Sequence, residues 1–467
     1  MPNPISRRRF LGRMNCAAIS SLPILNTLLN LKMAGTLASA AAPAVPGHRA
    51  LVCLFLSGGI DTFNVLVPRG PSEYAEYQAV RGGIALPQAS LRPIVPEGLT
   101  GLQLGLHPGL PGIQSLFEAG HAAFVTNVGT LIEPITKDDY NNGGKRLPLG
   151  LYSHSDQVEQ WHTARPDLRS PKGWAGRMGD ILRTDNTDET VSMNISLTGS
   201  NIWQSGDYVY EYTVSTDGAV PLDGYDAQNT DEWSTIPIRT KAVDSQLALN
   251  YQHVLTKAFN AKKRGAMDAY NLFNAATSVT LPASVTFPDT ELGRQFQMVA
   301  KAIAGHTTLG HARQTFFIEY GGWDHHDGLI AAQAEMLPEV DAAVKAFYDC
   351  LTALGLQDEV TLFTASDFAR TLTTDSDGAD HAWGGNHFVI GGGVRGKRIY
   401  GQYPSLYIDN PLDVERGRLI PQISVDSYFA ELALWLGVSK GSLPLVLPNI
   451  GNFHDPASAS APVGFLV

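Results

Sequence analysis

The chain has 467 residues, 44% of them hydrophobic and 17% charged, with a formal net charge of −11 at pH 7. That acidity makes it a poor partner for nucleic acid or an anionic membrane surface. Three cysteines are too few for a disulfide scaffold, so stability must come from an apolar core, and the length suffices for one large α/β domain or two smaller ones.

At the amino terminus Ser6-Arg7-Arg8-Arg9-Phe10-Leu11 precedes a modestly apolar run from Ala17 to Leu31 and the small residues Ala38 to Ala42. A basic region with paired arginines, an apolar region and an A-x-A site predict a twin-arginine signal peptide over residues 1–42. The expectation is export to the periplasm or beyond, with the twin-arginine translocase as a partner in transit. Pro23, Asn26 and Asn30 leave the run too polar for a stable membrane span. Residues 38–46 read as a linker. Losing residues 1–42 removes five basic residues and no acids, taking the formal charge to −16.

Residues 43–467 read as one domain. Ala50 to Leu56 is an unbroken apolar run ending at Ser57-Gly58-Gly59, as a strand buried on both faces would be. Ala122 to Val128, Thr315 to Tyr320 and Val360 to Thr364 repeat the pattern. Helices are predicted over 109–119, 292–304 and 330–354, the last with Leu337, Val340, Val344, Phe347 and Leu351 at three- or four-residue spacing. Strands alternating with helices predict an α/β fold of three layers, a mostly parallel central sheet with helices on both faces. Trp203, Tyr208, Tyr210, Tyr212 and Trp233, set among Gly, Asp, Ser and Thr, mark a loop-rich insertion over about 200–290 that either caps the site or packs onto the domain. Val389 to Lys397 is glycine-rich but fits no phosphate-binding fingerprint, and reads as a turn between strands.

Chemistry concentrates after the strands. Gly321-Gly322-Trp323-Asp324-His325-His326-Asp327, Ser366-Asp367, Asp380-His381 and His387 mix imidazole with carboxylate, the ligand set for Zn²⁺, Mn²⁺ or Fe²⁺. In an open α/β sheet ligands gather beyond the carboxyl ends of the strands. Asp61, Asp324 with His326, and Ser366-Asp367 each follow a predicted strand, so they are expected on one rim. Asp324 and His326 are two residues apart and would share a side, with His325 opposite. For a nucleophile, Ser153, beside His154 at an expected helix start, competes with Thr62; Ser153 equally suits a helix N-cap. Arg370 is either an anion-binding side chain or the partner of Asp367.

Leu54 to Asn64, Tyr152 to Gln157, Gly173 to Arg177, Gly322 to Asp327, Ser366 to Thr371 and Asp380 to Gly384 together resemble the exported family called domain of unknown function 1501. That family resembles in turn the alkaline phosphatase and sulfatase superfamily. His325, Ala369, Asp375 and Ala382 depart from the usual family residues without removing an expected ligand. The resemblance implies an alkaline phosphatase-like fold and one or two divalent ions, Zn, Mn or Ca. Asp61 would be the first-strand metal aspartate, Asp324 and His326 would hold one ion, and Asp380, His381 and His387 would be shared with its neighbour. It implies hydrolysis of a phosphate or sulfate ester of a small molecule or polymer, with Ser153, Thr62, His154 and Arg370 as the candidate catalytic set. The alternative is an exported binding or assembly protein that kept the fold, lost catalysis and works with a protein partner.

Overall fold

Alternation within an unbroken apolar run sets the layers. The computed structural model describes residues 47–374 and 376–466; the expected leader and Asp375 lie outside them. Arg49–Leu56 is β1. Its Ala50, Val52, Leu54 and Leu56 enter one apolar cluster, and Leu51, Cys53 and Phe55 enter another on the opposite face. A strand whose odd and even side chains both reach apolar layers must lie between them.

Three short strands, β2 (Leu66–Pro68), β3 (Arg92–Ile94) and β4 (Leu104–Leu106), make a small antiparallel sheet. The main sheet adds β5 (Ala122–Gly129), β6 (Asn194–Ser196), β7 (Tyr212–Thr213), β8 (Arg313–Tyr320), β9 (Val360–Ser366), β10 (Gly385–Gly391), β11 (Ile399–Tyr400) and β12 (Ile423–Ser424). Its order is β11-β5-β10-β9-β1-β8-β6-β7, with β12 also beside β5. Among the described strands of this sheet, β10 alone runs antiparallel to its neighbours. The predicted strands are all present, each within a residue or two.

Helices Pro111–Glu118, Glu291–Ala304 and Leu329–Leu354 cover one face, and Trp174–Leu182 and Val425–Leu436 the other. The fold is therefore a mostly parallel α/β sheet in three layers. All five periodic residues of the helix Leu329–Leu354 are buried. Across residues 200–290, loops alternate with helices Ile236–Ala248 and Val254–Thr277. Trp203 does not belong to a cap: it is 1% exposed, with its ring 5.4 Å from Trp174 and 5.6 Å from Phe317 in the core. Cys53 and Cys350 are free and buried. Among the described residues no helix is long and apolar enough to cross a membrane.

Register places the site. Leu56 of β1 pairs with Tyr320 of β8 and with Ser366 of β9, so three parallel strands end level. The loops after them leave from one rim. Because β10 is antiparallel to β9, the residues that lead into it, Asp380 and His381, arrive at that same rim.

Candidate metal centre

Four side chains converge beyond the carboxyl ends of β1, β8 and β9. His154 Nε2 lies 3.1 Å from His381 Nε2 and 3.4 Å from Asp324 Oδ1. His381 Nε2 is also 3.4 Å from Asp324 Oδ1. His326 Nε2 stands beside this trio, 3.0 Å from both His381 Nε2 and Asp324 Oδ1.

Hydrogen bonds on the far side of each ring decide what these atoms offer. His154 Nδ1 faces Asp367 Oδ2 at 2.7 Å, His326 Nδ1 faces Asp380 Oδ1 at 3.1 Å, and His381 Nδ1 faces the Tyr152 carbonyl at 2.8 Å. Those oxygens accept, so each Nδ1 donates, and a neutral ring then has only a lone pair at Nε2. Three imidazole lone pairs and a carboxylate oxygen thus crowd together without a hydrogen between them. Such a set is repulsive unless a proton or a metal cation is shared among it. His154 Nε2, His381 Nε2 and Asp324 Oδ1 lie 3.1–3.4 Å from one another, so these three residues would hold one divalent cation. The outer hydrogen bonds to carboxylate and carbonyl are those that orient metal-binding histidines.

The chain builds this arrangement from strained and close-packed pieces. Gly58 and Gly59 follow β1 at φ +118° and +78°, and a Cβ on Gly58 would stand 2.6 Å from the Asp324 backbone nitrogen. Only glycine lets that loop pass under residues 323–324. Asp367 is buried and binds both the Gly58 N–H at 2.9 Å and His154. Tyr152 holds φ +71°, a costly conformation for a residue with a side chain, and its carbonyl thereby meets His381. The Phe368 ring fills the space beneath His154 and His381, with centroids 4.7 and 4.6 Å away.

Arg370 is fully buried, and its donors serve the carbonyls of Gly58, Gly59, Trp323 and Ala379 and Asp324 Oδ1, the last at 2.5 Å. Its acidic partner is Asp324, not Asp367. Desolvation raises the Asp324 carboxyl, but the Arg370 hydrogen bond and charge outweigh it and hold the group down to about 2. Burial pushes His381 below its ordinary value, which keeps it neutral and able to bind metal.

Several expected ligands stand elsewhere. Asp61 is fully buried with one carboxylate oxygen paired to Arg81 and the other accepting the Phe63 N–H at 3.2 Å. Desolvation raises its pKa against the pull of Arg81. The Gly-Gly-x-Asp turn therefore points this acid inward to a structural ion pair. His387, on β10, is buried against Trp161 at 4.8 Å, and burial lowers it to about 3. Asp380 is near the cluster but one layer out, bridging His326 Nδ1 and Arg416 Nη1 at 2.7 Å. Thr62 is buried, its hydroxyl accepting the Asn386 N–H at 2.9 Å. Ser153 does occupy the N-cap position of the helix His154–Thr163, but its hydroxyl caps nothing and lies 3.3 Å from that of Ser155.

Asp324 and His326 share the cluster while His325 is buried behind them, as expected, although β8 has ended at Tyr320 and a loop does the sorting. As a member of a catalytic set alone, His154 would not be expected among the three donors it joins with Asp324 and His381. The signal was present in Tyr152-Ser153-His154, a histidine at a helix start, but nothing local shows that Asp367, 213 residues away, fixes its tautomer.

The rim and its donor set define an α/β protein with a candidate histidine and aspartate cation centre. Residues 211–416 match the family described as Protein of unknown function (DUF1501), which bears out the motif resemblance and spans Asp324, His326, Asp367, Arg370 and His381. No curated protein matches the chain. Among solved structures, the chain is similar to a sulfatase, PsFucS1, from Pseudoalteromonas sp., with 11% identity and a TM-score of 0.33 over 94% of this chain and 72% of that one. It is similar to Ps i-CgsB in complex with k-i-k-neocarrahexaose at 10% identity and TM-score 0.35, covering 88% and 78%. It is also similar to wild-type alkaline phosphatase PafA at 13% identity and TM-score 0.27, covering 70% and 64%. Likeness at these scores carries no argument about activity, which rests on the geometry of the rim.

Proposed function

We propose that the protein is an exported, metal-dependent hydrolase of a phosphate or sulfate ester, with one divalent cation held by His154, Asp324 and His381 and with His326 beside the last two. The observation that carries this reading is the convergence of His154 Nε2, His381 Nε2 and Asp324 Oδ1 at 3.1–3.4 Å, with His326 Nε2 3.0 Å from the last two. A divalent ion there would polarise an ester oxygen and offset charge developed during displacement. Asp367, Asp380 and the Tyr152 carbonyl hold the three rings in the ligating tautomer, and Arg370 keeps Asp324 ionised. Ser153 supports the role of attacking group, since its hydroxyl is uncommitted to capping and stands next to a ligand at the start of a helix. With Asp61 and His387 engaged elsewhere, one ion fits the donors better than two.

The test is elemental analysis of the purified protein, followed by turnover of p-nitrophenyl phosphate and p-nitrophenyl sulfate after loading with Zn²⁺, Mn²⁺ or Ca²⁺. Stoichiometric metal lost in His381→Ala, and turnover lost in both His381→Ala and Ser153→Ala, is expected. Protein that neither retains metal nor turns over either ester sinks the proposal.

One observation favours the second reading, a binding or assembly protein. Trp233 is 97% exposed, and Ile238, Val254, Leu255 and Phe259 are each more than 70% exposed, in the region 200–290. On that reading substitutions there abolish the cellular phenotype while His381→Ala leaves it intact; the reverse pattern rejects it.

A further inference from the structure

The opposite rim of the sheet holds a second convergence. His48 immediately precedes β1, Glu359 immediately precedes β9, Gln314 is the second residue of β8, and His306 opens the short helix His306–Leu309. One ligand atom from each of His48, His306 and Glu359 lies within 4.8 Å of the other two. The rings of His48 and His306 stack with centroids 4.0 Å and planes 15° apart. An eight-residue strand, about 25 Å, separates this group from the centre on the other rim.

Following the hydrogens one by one shows what the group lacks. His311 Nε2 meets the Val191 carbonyl at 2.9 Å, so it donates and leaves Nδ1 as an acceptor. The Gln314 amide nitrogen faces that Nδ1 at 3.3 Å, which turns the Gln314 oxygen toward His48 Nε2 at 2.9 Å. His48 must therefore donate from Nε2, and its Nδ1 lone pair faces Glu359 Oε2 at only 2.9 Å. His306 Nδ1 donates to the Ile303 carbonyl at 3.0 Å, leaving a lone pair on its Nε2. Two imidazole lone pairs and a carboxylate are thus gathered with no hydrogen assigned between them. A proton on His48 would satisfy the contact with Glu359 alone.

We infer that His48, His306 and Glu359 form a second cation site, of the His₂Glu type that suits Zn²⁺ and similar borderline divalent ions. Gln314 and the Ile303 carbonyl serve as the outer hydrogen-bond partners that fix the two rings. The site takes no part in chemistry at the other rim. It clips the segment before β1 to the segment before β9 and to the end of the helix Glu291–Ala304, closing the amino-terminal edge of the central strands.

Stripped full-length protein titrated with Zn²⁺ against a chromophoric chelator tests this. Wild type is expected to bind one more equivalent than Glu359→Gln or His306→Ala, with the affinity of that equivalent falling at least tenfold in Glu359→Gln, whose amide keeps the size of the side chain. His381→Ala is expected to retain this equivalent and a Zn²⁺-dependent rise in Tm. Circular dichroism confirms that each variant is folded. If Glu359→Gln binds as many equivalents as wild type with the same affinity, or if His381→Ala binds none, the inference is wrong. A protein that loses its only Zn²⁺ in Glu359→Gln and not in His381→Ala would uphold this site and remove the metal from the proposed hydrolase.

Discussion

Asp367→Asn tests how the three-histidine centre is held. The Asp367 carboxylate accepts from two donors at once, the Gly58 N–H at 2.9 Å and His154 Nδ1–H at 2.7 Å, and the side chain is 2% exposed. An amide of the same shape has one accepting and one donating end. If the oxygen faces His154, the NH₂ confronts the Gly58 N–H and leaves a buried donor unmade, at a cost of about 1–3 kcal/mol. If the amide turns over, its NH₂ donates to His154 Nδ1, moves the ring proton to Nε2 and removes a ligand. Either arrangement weakens the centre, and loss of such an outer partner lowers metal affinity about 10–100-fold. Chelator competition with Zn²⁺ measures affinity, and urea unfolding of the stripped protein measures stability. Zn²⁺ affinity within twofold of wild type, with stability unchanged, would refute the proton assignment on which the centre is built.

The other predictions probe the supports. Asp426 is fully buried with neither carboxylate oxygen hydrogen-bonded, and burial raises its pKa from 3.8 to about 8. The folded chain then holds a proton that the unfolded chain releases between about pH 4 and pH 8, so this contribution to stability is present below pH 4 and lost as pH rises through the window. At pH 7 the gap comes to about 4 kcal/mol. Asp426→Asn should therefore raise Tm at pH 7–8 and give no advantage near pH 4; a pH-independent difference counts against it. Arg370→Met leaves four backbone carbonyls and Asp324 without their buried donor, and should destabilise by about 3–5 kcal/mol in chemical denaturation, whereas a loss under 1 kcal/mol would show the network to be dispensable. Gly58→Ala forces a Cβ against the Asp324 backbone at a φ of +118°, so Zn²⁺ binding should fall at least tenfold while the far-ultraviolet spectrum stays that of a folded chain; unchanged binding would mean that the 58–61 loop moves freely.

Much of the scaffold was legible because it obeys short periods. The run from Ala50 to Leu56 alternates between two apolar layers, and the helix Leu329–Leu354 keeps Leu337, Val340, Val344, Phe347 and Leu351 on one buried face. The neighbours of Trp203 are turn-forming residues that suggest an insertion, but the core it enters is assembled from Trp174 and Phe317, which local composition does not reveal.

Residue types and their order along the chain determined the alternation of strands and helices, the parallel sheet, and the gathering of Asp61, Asp324, His326 and Asp367 at the ends of strands, whereas the antiparallel β10 brought His381 there. Those features follow from periodicities of two and 3.6 residues and from the rule that parallel strands deliver their loops to one rim. Which way each acid and imidazole turns was decided only by partners distant in the chain. Asp61 turned inward because Arg81 lies beside it, His387 because Trp161 packs against it, and His154 became a ligand because Asp367 takes its other nitrogen. A hydrogen bond acts over about 3 Å, so the role of a titratable side chain belongs to whatever the completed fold sets at that distance.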